Sequence, residues 1–359
     1  MVNACDRAFM TRALFLAERG RGRTTPNPIV GAVVVAAGGV VVGQGAHLRA
    51  GGPHAEVTAL DAAGARARGA TLYCTLEPCS HVGRTGPCVE RIVAAGITRA
   101  VVATMDPNPR VAGAGVAYLR ERGVDVSEGV CRDEADRLNA PFFTWVTQSR
   151  PFVVLKAAVS TDGFVGRSDR RVMLTGPRAN QFVQQGRAEI DAIAVGAGTV
   201  LVDDPQLTAR MAYRERPLTR VLFDWRGRIP LSARVFSTLE AGPVIMVQSN
   251  EADPARVAAL ETRGVLVYQA RERRLRPVLD WLASREIVSL LVEGGPSLHA
   301  ACRDEGLIDR VQYIVTPQVL GEGVPSVAMT RPQLEGMRWP SVKVLGRDAL
   351  IEFDVHRPH

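Results

Sequence analysis

A histidine, a glutamate and two cysteines carry the chemistry that this sequence suggests most directly: His54, Glu56, Cys79 and Cys88. One imidazole and two thiolates can occupy three corners of a tetrahedral zinc site and leave the fourth for water. Zinc lowers the pKa of that water towards neutrality, so a hydroxide is available at pH 7. Glu56 is too close to His54 in sequence to share the metal comfortably, but it can take the proton of the water and pass it to a departing amine. Such an attack on an amino-substituted ring carbon gives a carbonyl and ammonia.

The arrangement follows the zinc-deaminase signature, H-x-E and then P-C-x-x-C, except that eight residues instead of two separate the cysteines. Two other interpretations stay open. In the first, His54 caps a helix and the cysteines are ordinary buried thiols. In the second, the zinc is purely structural and has His81 as its fourth ligand, although a free Glu56 argues against it. The joint occurrence of H-A-E, P-C and a second cysteine favours the catalytic zinc site.

The elements expected around these residues place the ligands at helix starts and a strand end. An Ala-rich helix over 55–67 opens at His54, a strand covers 70–75, and a helix over 89–95 opens at Cys88. The other elements expected in this half are helices at 5–19, 114–122 and 133–146 and strands at 31–35, 40–43, 99–103 and 124–126. The alternation of strands and helices predicts a three-layer α/β domain.

Composition limits the class of protein. A chain of 359 residues with 46% hydrophobic and 23% charged residues is typical of a globular protein with two domains. The first twenty residues mix charges among apolar side chains, so we expect no signal peptide, no membrane association and a cytoplasmic protein. The net charge of +7 comes from scattered arginines, which predicts small anionic substrates and no nucleic-acid partner. Six cysteines without dense spacing suggest metal binding before disulfides.

A polar stretch at residues 148–151 separates two α/β regions, and we place domains at 1–147 and 151–359. Strands are expected in the second region at 152–159, 191–195, 219–224, 244–247, 265–267, 287–292 and 311–315. Helices at 177–187, 254–263, 275–283 and 297–305 fall between several of them. This pattern predicts a mostly parallel sheet of a size to hold a dinucleotide. Lys156 is one of only two lysines in the chain.

The motifs around the cysteines identify a family. The run T-L-E-P-C-S-H-V-G-R-T-G-P-C at 75–88, with His54-Ala-Glu56 and Pro26-Asn-Pro28, resembles the deaminase half of the bifunctional riboflavin-biosynthesis deaminase/reductases. That family has the long spacer between its cysteines. The resemblance implies an N-terminal cytidine-deaminase-like domain and a C-terminal dihydrofolate-reductase-like domain, with Zn²⁺ and NADPH as cofactors.

The resemblance also implies a substrate, the diaminopyrimidinone ribosylamine 5'-phosphate derived from GTP, which is deaminated at ring carbon 2. His81 and Arg84 can pair with its phosphate, and Asn27 and Asn108 can hydrogen-bond its base or ribose. The residues expected around this small phosphorylated pyrimidine are Asn27, His47, Ala55, His81, Arg84, Asp106 and Asn108.

Three further segments resemble the reductase half of the family: K-A-A-V-S-T-D-G at 156–163, G-A-G-T-V-L-V-D-D-P-Q-L-T-A-R at 196–210, and E-G-G-P-S at 293–297. The last opens a helix whose free N–H groups can cradle a phosphate. The resemblance implies that NADPH delivers hydride to the ribosyl carbon, with Lys156 and Asp162 as the polar groups nearest the reacting centre. NADPH is expected to contact Ala158, Met173, Thr199, Asp203, Gly295, Pro296 and Ser297. The phosphosugar is expected to contact Arg187, Leu207, Arg210 and Glu293.

The sequence departs from the family at Arg171, Met173 and Trp225, where many members have other residues that contact cofactor or substrate. A deaminase whose second domain only binds ligand is therefore one competing hypothesis. A nucleic-acid base deaminase is a second, and a structural zinc protein is a third. We expect the enzyme to be a homo-oligomer.

Overall fold

The computed structural model describes residues 4–80, 86–109, 111–210 and 214–355. The chain forms two compact units, one up to Ser149 and one from Arg150 onwards. The stretch at 148–151 is short and ordered, because Ser149 ends a helix with φ 54° and the Arg150 guanidinium is buried in a bidentate ion pair with Asp309. Within the described ranges, no helix is long and apolar enough to cross a bilayer.

The first unit has a five-stranded sheet in the order β2-β1-β3-β4-β5. β1 runs antiparallel to β2 and β3, and β3, β4 and β5 are parallel. The strands are β1 (Gly31–Ala36), β2 (Val40–Ala46), β3 (Thr71–Cys74), β4 (Arg99–Val102) and β5 (Asp125–Glu128). The helices are α1 (Ala4–Ala17), α2 (Ala55–Ala63), α3 (Cys88–Ala94), α4 (Ala114–Glu121) and α5 (Arg132–Gln148).

Alternation along β1 separates two cores. Val34 faces a core formed with α2, α3, α4 and the second half of α5, whereas Val33 faces one formed with α1 and the start of α5. Helices therefore cover both faces of the sheet, which confirms the three-layer prediction. The Ala-rich helix is shorter than predicted, since α2 ends at Ala63, where Gly64 takes φ 55°.

The second unit has a nine-stranded sheet in the order β11-β10-β9-β8-β12-β6-β13-β16-β15. All neighbouring strands are parallel except β13/β16 and β15/β16. The strands are β6 (Phe152–Ser160), β8 (Ala192–Gly196), β9 (Thr219–Phe223), β10 (Val244–Ser249), β11 (Leu266–Ala270), β12 (Ser289–Gly294), β13 (Arg310–Thr316), β15 (Arg338–Leu345) and β16 (Asp348–Asp354). Two short strands, β7 (Phe164–Gly166) and β14 (Val324–Pro325), pair separately.

Helices line both faces of this sheet. They are α6 (Pro177–Glu189), α7 (Ala197–Asp203), α8 (Pro254–Thr262), α9 (Arg276–Ala283), α10 (Pro296–Asp304) and α11 (Arg331–Glu335). Val221 and Leu222, adjacent on β9, belong to the two different cores on either side. The mostly parallel sheet was predicted, but α7, α11 and the strands β7, β14, β15 and β16 were not.

Candidate functional site

The predicted zinc ligands lie together. His54 directly precedes α2, Cys79 follows β3, and Cys88 is the first residue of α3. His54 Nδ1 is 3.2 Å from Cys88 Sγ and 3.5 Å from Cys79 Sγ, and the three ligand atoms lie within 4.8 Å of one another. Tetrahedral zinc with Zn–S bonds of about 2.3 Å and a Zn–N bond of about 2.1 Å separates ligand atoms by about 3.6 to 3.8 Å. The donor set and spacing therefore fit zinc.

Two glycines on β2 let α2 approach the sheet closely. A Cβ on Gly43 would lie 2.1 Å from the Ala59 carbonyl oxygen, and one on Gly45 would lie 2.4 Å from that of Ala55. Both contacts are far closer than any Cβ allows, so only glycine permits this packing. Because Ala55 is the first residue of α2, the packing at Gly45 fixes the start of the helix, where His54 is located.

Glu56 lies in the first turn of α2 and borders the same cavity as His54 and Cys79. The cavity has a volume of about 300 Å³. Glu56 is 4% exposed, and burial raises the pKa of its carboxyl, with the Cys79 sulfur adding to the rise. A carboxyl whose pKa is raised is a stronger base than an ordinary carboxylate and can return the proton that it accepts. Its position in the cavity and its pKa suit a proton carrier.

Four residues expected to contact the pyrimidine border this cavity: Asn27, His47, Asp106 and Asn108. His47 Nδ1 is 3.0 Å from the Pro53 carbonyl oxygen, so this nitrogen carries the proton. Its Nε2 then accepts a hydrogen bond from Asn27 Nδ2 at 3.1 Å. Burial lowers the pKa of His47, which agrees with a neutral ring. Ala55 is buried in the core behind the cavity, and His81 and Arg84 lie outside the described residues.

The cavity also has borders that the sequence did not assign. Phe142, Trp145 and Val146 contribute an apolar wall from α5. The sequence predicts a helix over 133–146, but it does not indicate that Phe142 and Trp145 face this cavity. Glu77, between β3 and Cys79, is another such residue, and its carboxylate accepts hydrogen bonds from four backbone N–H groups.

In the second unit, three of the predicted polar residues converge. Glu293, at the end of β12, makes two hydrogen bonds with Arg187, of 2.7 and 2.8 Å. Lys156 lies on the adjacent strand β6, where Val292 pairs with Leu155, so Lys156 and Glu293 are cross-strand neighbours. Burial opposes ionisation of Glu293, but the charges of Arg187 and Lys156 hold its pKa at about 2. Burial lowers the pKa of Lys156.

Asp162 does not join this cluster. Its carboxylate accepts hydrogen bonds from Ser160 Oγ at 2.6 Å, Leu320 N at 3.0 Å and Gly321 N at 2.7 Å. The hydrogen bond from Ser160 is the main reason that its pKa is lowered. Four residue steps along β6 separate Lys156 from Ser160, a distance of about 13 Å along a strand. Asp162 anchors the turn at 320–321, and its expected place beside Lys156 at the reacting centre stays a prediction.

Four of the residues expected at NADPH lie where β8 and β12 end: Thr199, Gly295, Pro296 and Ser297. Both strands run directly into helices, β8 into α7 and β12 into α10. Thr199 Oγ1 lies 3.3 Å from the position that a Cβ would take on Gly294 or Gly295. Pro296 and Ser297 form the first turn of α10, whose N–H groups suit a phosphate. The glycine pair beside the start of α10 therefore fits the phosphate of a dinucleotide.

The other residues expected to contact NADPH or the phosphosugar differ in how deeply they are buried. Asp203 ends α7, and partial burial raises the pKa of its carboxyl. Leu207 is buried with φ 56°, and the Arg210 backbone N–H donates to Gln184 Oε1. Met173 is 57% exposed. Ala158 is half-buried on β6, two residues beyond Lys156.

In comparisons with known proteins, a different family model matches each of the two units. The cytidine and deoxycytidylate deaminase zinc-binding region matches residues 3–104, and the RibD C-terminal domain matches residues 151–351. The riboflavin biosynthesis protein RibD of Aquifex aeolicus is 42% identical over 357 residues, covering 98% of this chain and 99% of that protein. The RibD protein of Escherichia coli K12 is 40% identical over 341 residues, covering 92% of each chain.

Two solved structures are similar to this chain over nearly its full length. A diaminohydroxyphosphoribosylaminopyrimidine deaminase/5-amino-6-(5-phosphoribosylamino)uracil reductase from Thermotoga maritima superposes with a TM-score of 0.86 at 35% identity, covering 98% of this chain and 99% of that one. RibD from Acinetobacter baumannii gives 0.85 at 36% identity with the same coverage. The chain therefore belongs to the RibD family of riboflavin biosynthesis proteins and combines a zinc-binding deaminase domain with an NADPH-dependent, dihydrofolate-reductase-like reductase domain.

Proposed function

We propose that this chain catalyses two consecutive reactions on one phosphorylated pyrimidine. The first converts 2,5-diamino-6-(5-phosphoribosylamino)pyrimidin-4(3H)-one and water into 5-amino-6-(5-phosphoribosylamino)uracil and ammonia. The second reduces the ribosyl group of that product to a ribityl chain with NADPH. The two activities for which the Thermotoga maritima relative is named support this substrate. The observation that carries the proposal is the placement of Glu56 in one cavity with His54 and Cys79.

In the deamination, His54, Cys79 and Cys88 would hold zinc, which would supply an activated water when bound. Glu56 removes a proton from the water and delivers it to the amine that leaves ring carbon 2. Asn27 is oriented by its hydrogen bond to His47 Nε2, so its Oδ1 is the amide atom left to accept a hydrogen bond from the substrate.

The remaining contacts hold the substrate in the cavity. Asp106 and Asn108 contribute polar groups to its border, and Ala55 contributes the backbone at the start of α2. The aromatic side chains of Phe142 and Trp145 supply an apolar wall for the ring. By resemblance to the family, His81 and Arg84 bind the phosphate.

In the reduction, bound NADPH would supply the hydride needed at the ribosyl carbon that bears the amine. The opening of the sugar ring also requires a proton on the ring oxygen. We assign this proton to Lys156, because burial lowers its pKa and makes its ammonium a better acid. Arg187 and Glu293 orient the sugar hydroxyls beside Lys156, and Leu207 and Arg210 complete the phosphosugar site. Thr199, Asp203, Gly295, Pro296 and Ser297 hold NADPH, with Ala158 and Met173 at its border.

The variant Glu56→Gln tests the deamination. It should retain zinc, measured by metal analysis of the purified protein, and lose ammonia release. Glu90→Gln, an exposed glutamate of α3, is the matched control and should retain both. If Glu56→Gln released ammonia at the wild-type rate, the assigned proton carrier would be wrong. A structural zinc protein would release no ammonia in any variant, and competition by RNA would indicate a nucleic-acid base deaminase.

The reduction is tested with the deaminated intermediate supplied directly. The wild-type protein should oxidise NADPH with this compound directly and with the original diaminopyrimidine only after deamination, and Lys156→Met should not oxidise it with either. If the wild-type protein leaves NADPH unoxidised, the second domain only binds ligand. If NADPH is oxidised with the original diaminopyrimidine and without zinc-dependent ammonia release, the order of the two reactions is wrong.

We also propose a cytoplasmic homo-oligomer. Free thiols at all six cysteines suit a reducing compartment, and two of these thiols are needed for zinc. Val342 and Val344 on the edge strand β15 are 70% and 78% exposed, which supports coverage by a second copy. Light scattering after size-exclusion chromatography gives the mass in solution, and a monomer at micromolar concentration would contradict the homo-oligomer.

A further inference from the structure

Glu77 is a buried carboxylate. Within the described residues, every hydrogen bond that its side chain accepts comes from a backbone N–H group. The residue is 3% exposed. Its Oε1 accepts from Gly115 N at 2.9 Å and Val116 N at 3.2 Å. Its Oε2 accepts from Gly113 N at 3.0 Å and Asp106 N at 3.3 Å. Two oxygens offer about four acceptor positions, so these bonds use the capacity of the group.

Three of the donors belong to the start of α4. Gly113 is the N-cap of that helix, and Gly115 and Val116 lie in its first turn, where N–H groups have no partner within the helix. A Cβ on Gly115 would lie 2.1 Å from the carbonyl oxygen of Pro78, so the helix start packs directly on the backbone next to Glu77. The negative charge at this helix end is favourable as well. Glu77 therefore caps α4 from a different part of the chain.

The fourth donor connects Glu77 to the cavity. Asp106 N binds Oε2, and Asp106 Oδ1 in turn accepts the Asn108 N–H at 2.9 Å. Both Asp106 and Asn108 border the cavity that contains Glu56. Glu77 itself is held to the end of β4 by its own N–H, which donates to the Thr104 carbonyl oxygen at 3.0 Å. Cys79 follows only two residues later.

We propose that Glu77 is a positioning residue of the deaminase site, one that sets the distance between the zinc ligand Cys79 and the substrate contacts Asp106 and Asn108. With its oxygens already bound to N–H groups, Glu77 has no further role as a metal ligand or proton carrier. It acts on the substrate through the backbone of Asp106. The inference rests on the proposed deamination for its consequence in catalysis, and the anchoring of the backbone is measurable separately.

The test compares Glu77→Gln with the exposed control Glu90→Gln. The glutamine keeps the shape but replaces one oxygen by an NH₂ group, which faces two N–H donors and accepts neither. We expect zinc content to stay at the wild-type level and KM for the diaminopyrimidine to rise by at least about tenfold, with a smaller change in kcat. Amide hydrogen exchange in peptides covering Asp106 and the start of α4 should accelerate by about tenfold or more.

Glu77→Ala removes all four bonds and should enlarge each effect; if it fails to fold, Glu77→Gln still decides. Unchanged exchange and KM in Glu77→Gln would overturn the inference. Loss of zinc in proportion to activity would also overturn it, because Glu77 would then support the metal ligands instead. Absence of zinc-dependent ammonia release from the wild-type protein would refute the proposed function, whereas the exchange rates would still decide whether Glu77 anchors this backbone.

Discussion

Acid should destabilise the reductase domain through one buried histidine. His299, on α10, is 3% exposed, and its Nε2 lies 3.2 Å from the Val292 carbonyl oxygen. Burial lowers the pKa of this imidazole from 6.5 to about 4. Between these values the unfolded chain binds a proton that the folded domain does not bind, so the free energy of unfolding falls as the pH falls. At about 1.4 kcal/mol per pKa unit, the loss is roughly 2 kcal/mol at pH 5 and about 3 kcal/mol by pH 4.

The variant His299→Gln isolates this contribution. Glutamine can still donate a hydrogen bond to the Val292 carbonyl oxygen but does not titrate. Between pH 7 and pH 5 the variant should therefore lose about 2 kcal/mol less of its free energy of unfolding than the wild-type protein. The measurement is urea unfolding with pulsed hydrogen exchange of peptides from β12, which report on the reductase unit alone. Lys156 and Glu293 also face His299, but both are present in both proteins, and Glu293, with a pKa of about 2, stays ionised in the folded domain throughout this range.

Parallel stability curves for the two proteins between pH 7 and pH 5 would refute this reasoning. They would mean that the imidazole either binds a proton in the folded domain or is already shielded in the unfolded chain. A loss of stability that both proteins share and that begins only below about pH 4.5 would assign the acid sensitivity to carboxylates instead, since an unfolded glutamate titrates near that value.

Three more changes follow from the same contacts. Arg187→Met leaves Lys156 as the remaining positive charge beside the buried Glu293, so the pKa of Glu293 should rise from about 2. The free energy of unfolding of the reductase domain should drop by about 3 to 5 kcal/mol, and the reductase rate should gain a new acid limb in its pH profile. Gly115→Ala places a Cβ 2.1 Å from Pro78 O and should destabilise the deaminase unit by about 1 to 3 kcal/mol, measured by urea unfolding. Removal of zinc with a chelator should lower the melting temperature of the deaminase unit and abolish ammonia release, while NADPH oxidation with the deaminated intermediate continues.

The zinc trio was predictable because each ligand has a local signal. His54 and Glu56 stand where an Ala-rich helix begins, and Cys88 stands where the next helix begins, so the sequence indicates both position and direction. The geometry then follows from the βα connections, which bring successive helix starts to one edge of the sheet. What the sequence did not reveal was the direction of Trp145, because a helical period indicates which residues face a core but not which of them border a cavity.

Asp162 illustrates a different limit. It is six residues from Lys156, and the resemblance covers both in one segment. Along β6 the rise of about 3.3 Å per residue separates Lys156 from Ser160 at the end of the strand, so a short spacing in sequence does not by itself bring Lys156 and Asp162 together. The antiparallel strands β15 and β16 were also missed. β15 is an edge strand whose buried and exposed positions do not alternate strictly, so its sequence lacks the period of a half-buried strand.

Both sites depend on helix starts that only small residues allow. In the deaminase domain, Gly45 brings the start of α2 against β2, and Gly115 brings the start of α4 against Pro78. In the reductase domain, Gly294 and Gly295 leave room beside Thr199 at the start of α10. A side chain at Gly45 or Gly115 would displace a helix terminus, and with it a functional group or an N–H donor, whereas one at Gly294 or Gly295 would crowd the Thr199 hydroxyl. The catalytic groups identify the chemistry, but these backbone approaches set its geometry, which is why a positioning role for Glu77 is consistent with the rest of the molecule.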